Sequence, residues 1–195
     1  MIVRLTMIAS GATLAARKGR FPLDEPLEPQ AIARAGATGQ GLRRADRIWT
    51  SPALRARQTA EALGHQASIE PLLADQDFAH WAGKGFEELQ VEDPEGFATW
   101  FSDPDAAPHG GESLADVARR GSALMERLLA ERGHTIVVTH PGVIRAAIVH
   151  VLGAPLTSFS KIDVEPLCLT DFRSDGTRWV LRAHGSLPKG QRGVD

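Results

Sequence analysis

Thr135-Ile136-Val137-Val138-Thr139-His140-Pro141-Gly142 is the stretch that decides the fold. Thr135 to Val138 are all β-branched, and such an unbroken run suits a strand covered on both faces. The strand, His134 to Thr139, ends against His140. Pro141 has its φ preset for the first turn of a helix, and the apolar helix that follows should end near Gly153.

The same alternation of strand and helix extends outward from this unit. Residues 2 to 8 read as a strand, followed by a loop from Ala9 to Pro29 punctuated by Gly11, Gly19, Pro22 and Pro26. A helix from Ala31 to about Arg43 leads into a short strand, Arg47-Ile48-Trp49-Thr50. Ser51 is placed to cap the next helix, residues 53 to 63, with Pro52 at its first position and Leu54, Ala60 and Leu63 facing inward. Ser113, with Asp116 three residues on, caps a long helix carrying Leu114, Val117, Gly121, Leu124 and Leu128 at helical spacing. Two further strands, about Cys168 to Arg173 and Trp179 to Ala183, meet at a turn over Ser174-Asp175-Gly176. These elements predict an α/β fold: a three-layer α/β/α open sheet, mostly parallel. Residues 1–187 are expected to form a single domain, with an aromatic insertion at about 71–112 (Phe78, Trp81, Phe86, Phe97, Trp100, Phe101) covering one end of the sheet. Residues 188–195 are expected to be a disordered polar tail.

Composition narrows the function classes. The chain has 195 residues, 43% hydrophobic and 24% charged, with a formal net charge of -2. That balance argues against wholesale disorder and against a nucleic-acid-binding surface. The single cysteine, Cys168, excludes an intrachain disulfide and a cysteine-rich zinc site, and fits a cytoplasmic location. No apolar stretch approaches the ~18 residues that cross a bilayer, so no membrane association is expected. No His/Asp/Glu spacing reads as a metal site, and no cofactor is expected.

In open α/β sheets, ligands sit beyond the carboxyl ends of the strands. Three loops leave those ends, at Ala9 to Thr13, Ser51 to Arg55, and His140 to Gly142. Taken with their flanks, these loops resemble the histidine phosphatase superfamily, which includes the phosphoglycerate mutases and the cobalamin-pathway phosphatases. The resemblance rests on Ser51-Pro52-Ala53-Leu54-Arg55-Ala56-Arg57-Gln58-Thr59-Ala60, Asp77 to Gly83, Gly111-Glu112-Ser113, and Thr139 to Arg145. It implies a phosphoglycerate mutase-like fold and a pocket for a phosphomonoester.

The family carries its nucleophile in an Arg-His-Gly-Glu-Thr motif at the end of the first strand. Here the matching residues are Ala9-Ser10-Gly11-Ala12-Thr13, so Ser10 stands where the imidazole would accept a phosphoryl group. Ala9 replaces the arginine, and the family's asparagine falls at Ala16. Gly11, Thr13, Gly19, Arg20 and Leu27 keep the pattern. The acid is Asp75 in place of glutamate, with Asp77 nearby, and Pro141 replaces a glycine whose amide would face the phosphate. The resemblance assigns phosphate binding to Arg55, His140, Gly11, Thr13 and Arg20, with Ser10, His140 and Asp75 as catalytic candidates.

Ser10 is read first as a small filler or turn cap, then as a ligand-binding hydroxyl, and last as a nucleophile activated by His140. Arg17, Lys18 and Arg20 form a basic run that could partly replace the charge absent at position 9. His80, His109 and Glu112 also fall in loops near the pocket. The expectation is a protein that has lost the phosphohistidine mechanism and binds a phosphorylated or anionic small molecule, or a protein partner. The alternative is an active phosphomonoesterase using Ser10, His140 or a water activated by Asp75.

Overall fold

The computed structural model describes residues 2–186; the tail expected at 188–195 lies outside the described residues. In chain order the elements are β1 (Val3–Ala9), α1 (Leu14–Arg17), α2 (Pro29–Gly39), β2 (Arg47–Thr50), α3 (Leu54–Ala62), β3 (Ser68–Ile69), α4 (Phe86–Glu92), α5 (Pro94–Ser102), α6 (Leu114–Leu129), β4 (Gly133–Thr139), α7 (Pro141–Leu152), β5 (Leu169–Ser174) and β6 (Trp179–Ser186). The strands form one sheet in the order β3-β2-β4-β1-β5-β6. β3, β2, β4 and β1 pair in parallel, whereas β5 is antiparallel to both β1 and β6.

The β-branched run of β4 lies at the centre, as its composition demands. Val137 packs with Leu5, Met7, Leu124, Leu128, Val143 and Ile144 on one face of the sheet. Ile136 and Val138 pack with Ile8, Ala35, Ala56 and Ala60 on the other. Alternate residues of one strand thus feed two separate cores. Helices α6 and α7 cover the first face and α2 and α3 the second, which gives the three layers.

Several boundaries differ from the sequence reading, each for a local reason. Helix α2 starts at Pro29, its N1 position, and ends at Gly39, where a Cβ would lie 2.3 Å from the Leu63 carbonyl oxygen. Ser51 does not cap α3: Ala53 holds that position, and Pro52 lies outside the helix. The stretch read as one loop contains α1, capped by Thr13, whose Oγ1 accepts the Ala16 amide at 3.3 Å. The edge strand β3 is only two residues long and left no periodicity to detect.

Other features match. The Ser113–Asp116 capping box opens α6, and Gly153 closes α7 at φ 59°. The insertion has its own aromatic core, but the ring at its centre comes from outside it. Phe21, from the loop after α1, contacts Phe78, Trp81, Phe86 and Trp100 at centroid distances of 4.7 to 5.3 Å. No helix among the described residues is long and apolar enough to cross a membrane.

Candidate functional site

Sheet register brings the three loops to one rim. Ala9 of β1 pairs with Thr139 of β4, and Thr50 of β2 with Val138. The Ser10 amide then donates to the Thr139 carbonyl at 2.7 Å and the Ser51 amide to that of Val138 at 2.9 Å. Beyond this rim lies a cavity of about 320 Å³, a size that suits a small molecule rather than a lone ion. Ser10, Gly11, Thr13, Arg20, Arg55, Asp75 and His140 all line it, so the structure brings these seven candidates to one place.

His140 follows directly from β4 and is completely buried. Its Nε2 lies 2.7 Å from Ser51 Oγ, and its Nδ1 faces Asp75 Oδ2 at 3.5 Å. Ser51 Oγ already accepts the Ala53 amide, so its own proton is free for Nε2. This favours the tautomer with Nδ1–H directed at the carboxylate. Burial lowers the His140 pKa to about 4, with Asp75 opposing and Arg55 and Arg120 reinforcing the shift. The ring is therefore neutral at pH 7.

Arg55, in the first turn of α3, donates Nη2 to Asp75 Oδ2 at 2.6 Å and Nη1 to the Leu23 carbonyl at 2.9 Å. Burial pushes the Asp75 carboxyl up, but His140, Arg55 and the Gln76 amide outweigh it and hold the group below the ordinary aspartate value. Arg120 of α6 fixes this loop from behind. It donates to the Asp75 and Leu72 carbonyls and to both Glu112 carboxylate oxygens.

The chain Asp75–His140–Ser51 has the order of a catalytic relay, but Ser51 is not among the residues that line the cavity. Ser10 does face the cavity, and it makes no hydrogen bond to His140 or to any other side chain among the described residues. The pairing of Ser10 with His140 as nucleophile and base is thus absent from the geometry. The cause is that Ser51 already occupies Nε2.

Other candidate residues also make contacts within the fold. The Gly11 amide donates to Thr59 Oγ1 at 2.9 Å, and a Cβ at Gly11 would press on Leu27 and Ala31. Thr13 is occupied with capping α1. Arg20 is exposed, with Nη1 on the Gly83 carbonyl. At the N-terminus of α3 the Leu54 amide is already taken by Asp24 Oδ1 at 2.7 Å, which blunts its appeal to an anion. Asp77 turns its carboxylate to the Ala79 amide and lies outside the cavity, as does Glu112. His109 is buried against Phe78 and Trp81, and His80 is exposed. Pro141 opens α7 as its N1 residue.

Sequence reasoning missed Gln76 and Arg145, which line the cavity, and the supporting role of Arg120. Arg145 had a legible signal: it lies four residues after Pro141, one helical turn along the same face. Arg120 had none, since its partners are 8 to 48 positions away.

Comparison with known proteins gives a consistent result. The family description "Histidine phosphatase superfamily (branch 1)" matches residues 7–186. An adenosylcobalamin/alpha-ribazole phosphatase from Salmonella typhi is 30% identical over 177 residues, covering 85% of this chain and 88% of its own. Among solved structures, a putative alpha-ribazole-5'-P phosphatase from Escherichia coli superposes with a TM-score of 0.85 at 26% identity, covering 94% of this chain and 96% of the other. A mycobacterial glucosyl-3-phosphoglycerate phosphatase complexed with VO3 gives a TM-score of 0.84 at 26% identity, over 94% and 99% of the two chains.

Proposed function

The chain belongs to the histidine phosphatase superfamily, and from that premise we propose that it binds a phosphorylated or anionic small molecule without forming a phosphohistidine at the end of β1. The observation that carries this reading is Ser10. The first strand delivers a short hydroxyl to the cavity, and no base is bonded to it. Serine needs such a base to attack phosphorus at neutral pH.

The carboxylate supports the same reading. Asp75 is held ionised by its neighbours, so it has no proton to give a departing alkoxide at pH 7. A depressed pKa also makes it a weak base toward water. Binding is better served. Arg55 supplies N–H donors, His140 is fixed in place, and Phe78, Phe86 and Trp100 give the cavity apolar walls.

A second reading, an active phosphomonoesterase, draws on the phosphatase relatives and on Arg55, Asp75 and His140 sharing one cavity. One pair of assays separates them. Calorimetry with orthovanadate should show saturable binding by the native protein and weaker binding by Arg55→Ala. Turnover of p-nitrophenyl phosphate should stay at background. Turnover that vanishes in both His140→Ala and Arg55→Ala overturns the binding-only reading in favour of the enzyme.

A further inference from the structure

Three arginines line the cavity, and their charges are not equally available. Arg55 is neutralised by Asp75, and Arg20 is exposed and engaged with a carbonyl. Arg145, on the second turn of α7, is half-buried and has no carboxylate within ion-pair distance among the described residues; Asp163 is near enough to favour its charge but makes no ion pair with it. Its Nε donates to the Ile162 carbonyl at 2.7 Å, and its guanidinium lies 5.4 Å from the centroid of the Phe159 ring. With Nε committed and one face stacked, the Nη1/Nη2 edge remains for a ligand. That edge matches a carboxylate end-on, through two parallel N–H···O bonds.

The surroundings connect this edge to the rest of the cavity. Gly142, Asp75, Phe159 and Arg145 line one continuous cavity, with the Gly142 Cβ position 3.9 Å from both Asp75 Oδ1 and Phe159 Cζ. Phe78, Phe86 and Trp100 line the cavity as well, which calls for an apolar body between its polar ends.

We propose that Arg145 binds a carboxylate on the ligand, making the recognised molecule a phosphomonoester with an apolar body and a second anionic group. This rests on the reading above that an anionic ligand occupies the cavity, and it names the class of that ligand.

The test is calorimetry with phenyl phosphate, 4-carboxyphenyl phosphate and benzoate against the native protein, Arg145→Met and Arg145→Lys. The native protein should bind 4-carboxyphenyl phosphate about ten- to a hundredfold more tightly than phenyl phosphate, the range for a charge-assisted contact. In Arg145→Met that ratio should collapse to near one. In Arg145→Lys, which keeps the charge but not the fork, it should be intermediate, and this variant decides the matter if the Met variant does not fold. A native ratio near one, or a ratio unchanged in the variants, overturns the assignment. Orthovanadate run alongside tests the anion pocket itself. If vanadate does not bind, the broader reading fails, and Arg145 is then judged on benzoate alone: binding lost in Arg145→Met supports the carboxylate site, and no binding by the native protein removes it.

Discussion

Mild acid should destabilise this protein through His140. In the native state its pKa is about 4, against 6.5 for an ordinary histidine such as that of the unfolded chain. Between those values the unfolded chain holds a proton that the folded chain does not, so stability rises with pH across the window. The contribution is whole above pH 6.5 and is lost progressively down to pH 4. At 1.36 kcal/mol per pH unit, the full loss is about 3 kcal/mol, a large share of the stability of an ordinary domain.

Asp75 acts in a different window. Its folded pKa is depressed below 3.8, so its contribution is present above that value and disappears only as the pH falls further, through the folded pKa. His65, His109 and His134 are also lowered by burial, so they too cost stability as the pH falls below the ordinary histidine value. The comparison that isolates His140 is therefore with His140→Gln, by urea denaturation at steps from pH 7 to pH 4. Native stability should fall by about 3 kcal/mol more than that of the variant over this range. Parallel profiles refute the reasoning, as does an NMR titration in which the His140 ring protonates near 6.5. The functional consequence is that a neutral His140 brings no charge, so attraction for an anion falls to the arginines.

Replacing Ser10 by His puts an imidazole at the end of β1. It should raise p-nitrophenyl phosphate turnover on the order of tenfold or more, with an acid-labile phosphohistidine in quenched samples. Arg55→Ala breaks a pair whose side chains are only 8% and 20% exposed, so it should cost about 3 kcal/mol in urea denaturation and raise the pKa of Asp75. Ser113→Ala removes the hydroxyl that accepts the Asp116 amide and donates to Asp116 Oδ2, which should cost about 1 kcal/mol and lower the melting temperature without altering vanadate affinity.

What was legible in the sequence was whatever local chemistry dictates. The run Thr135–Val138 has no comfortable alternative to a central strand, and Ser113 with Asp116 or Gly153 at a left-handed cap marks helix ends from a few residues. Elements of two to four residues, such as β3 and α1, escape because they carry too few periods to show a pattern. Site residues were legible only as types. Ser51 looked like a helix cap because a serine before proline usually is one. Its actual partner, His140, is 89 positions away and is brought to it by the pairing of β2 with β4. Phe21 was hidden in the same way, since only the folded insertion reveals the ring it closes around.

That distance between local type and tertiary partner also explains the character of the cavity. The scaffold that orients His140 is intact, from Ser51 on one side to Asp75, Arg120 and Glu112 on the other. Differences from the family pattern lie at the end of β1, where Ala9 is buried in the apolar core and Ser10 meets the cavity, and also beside His140, at Asp75 and Pro141. Of the three arginines that line the cavity, Arg55 is paired with Asp75 and Arg20 is exposed, which leaves Arg145 as the one whose part the carboxyphenyl phosphate comparison tests.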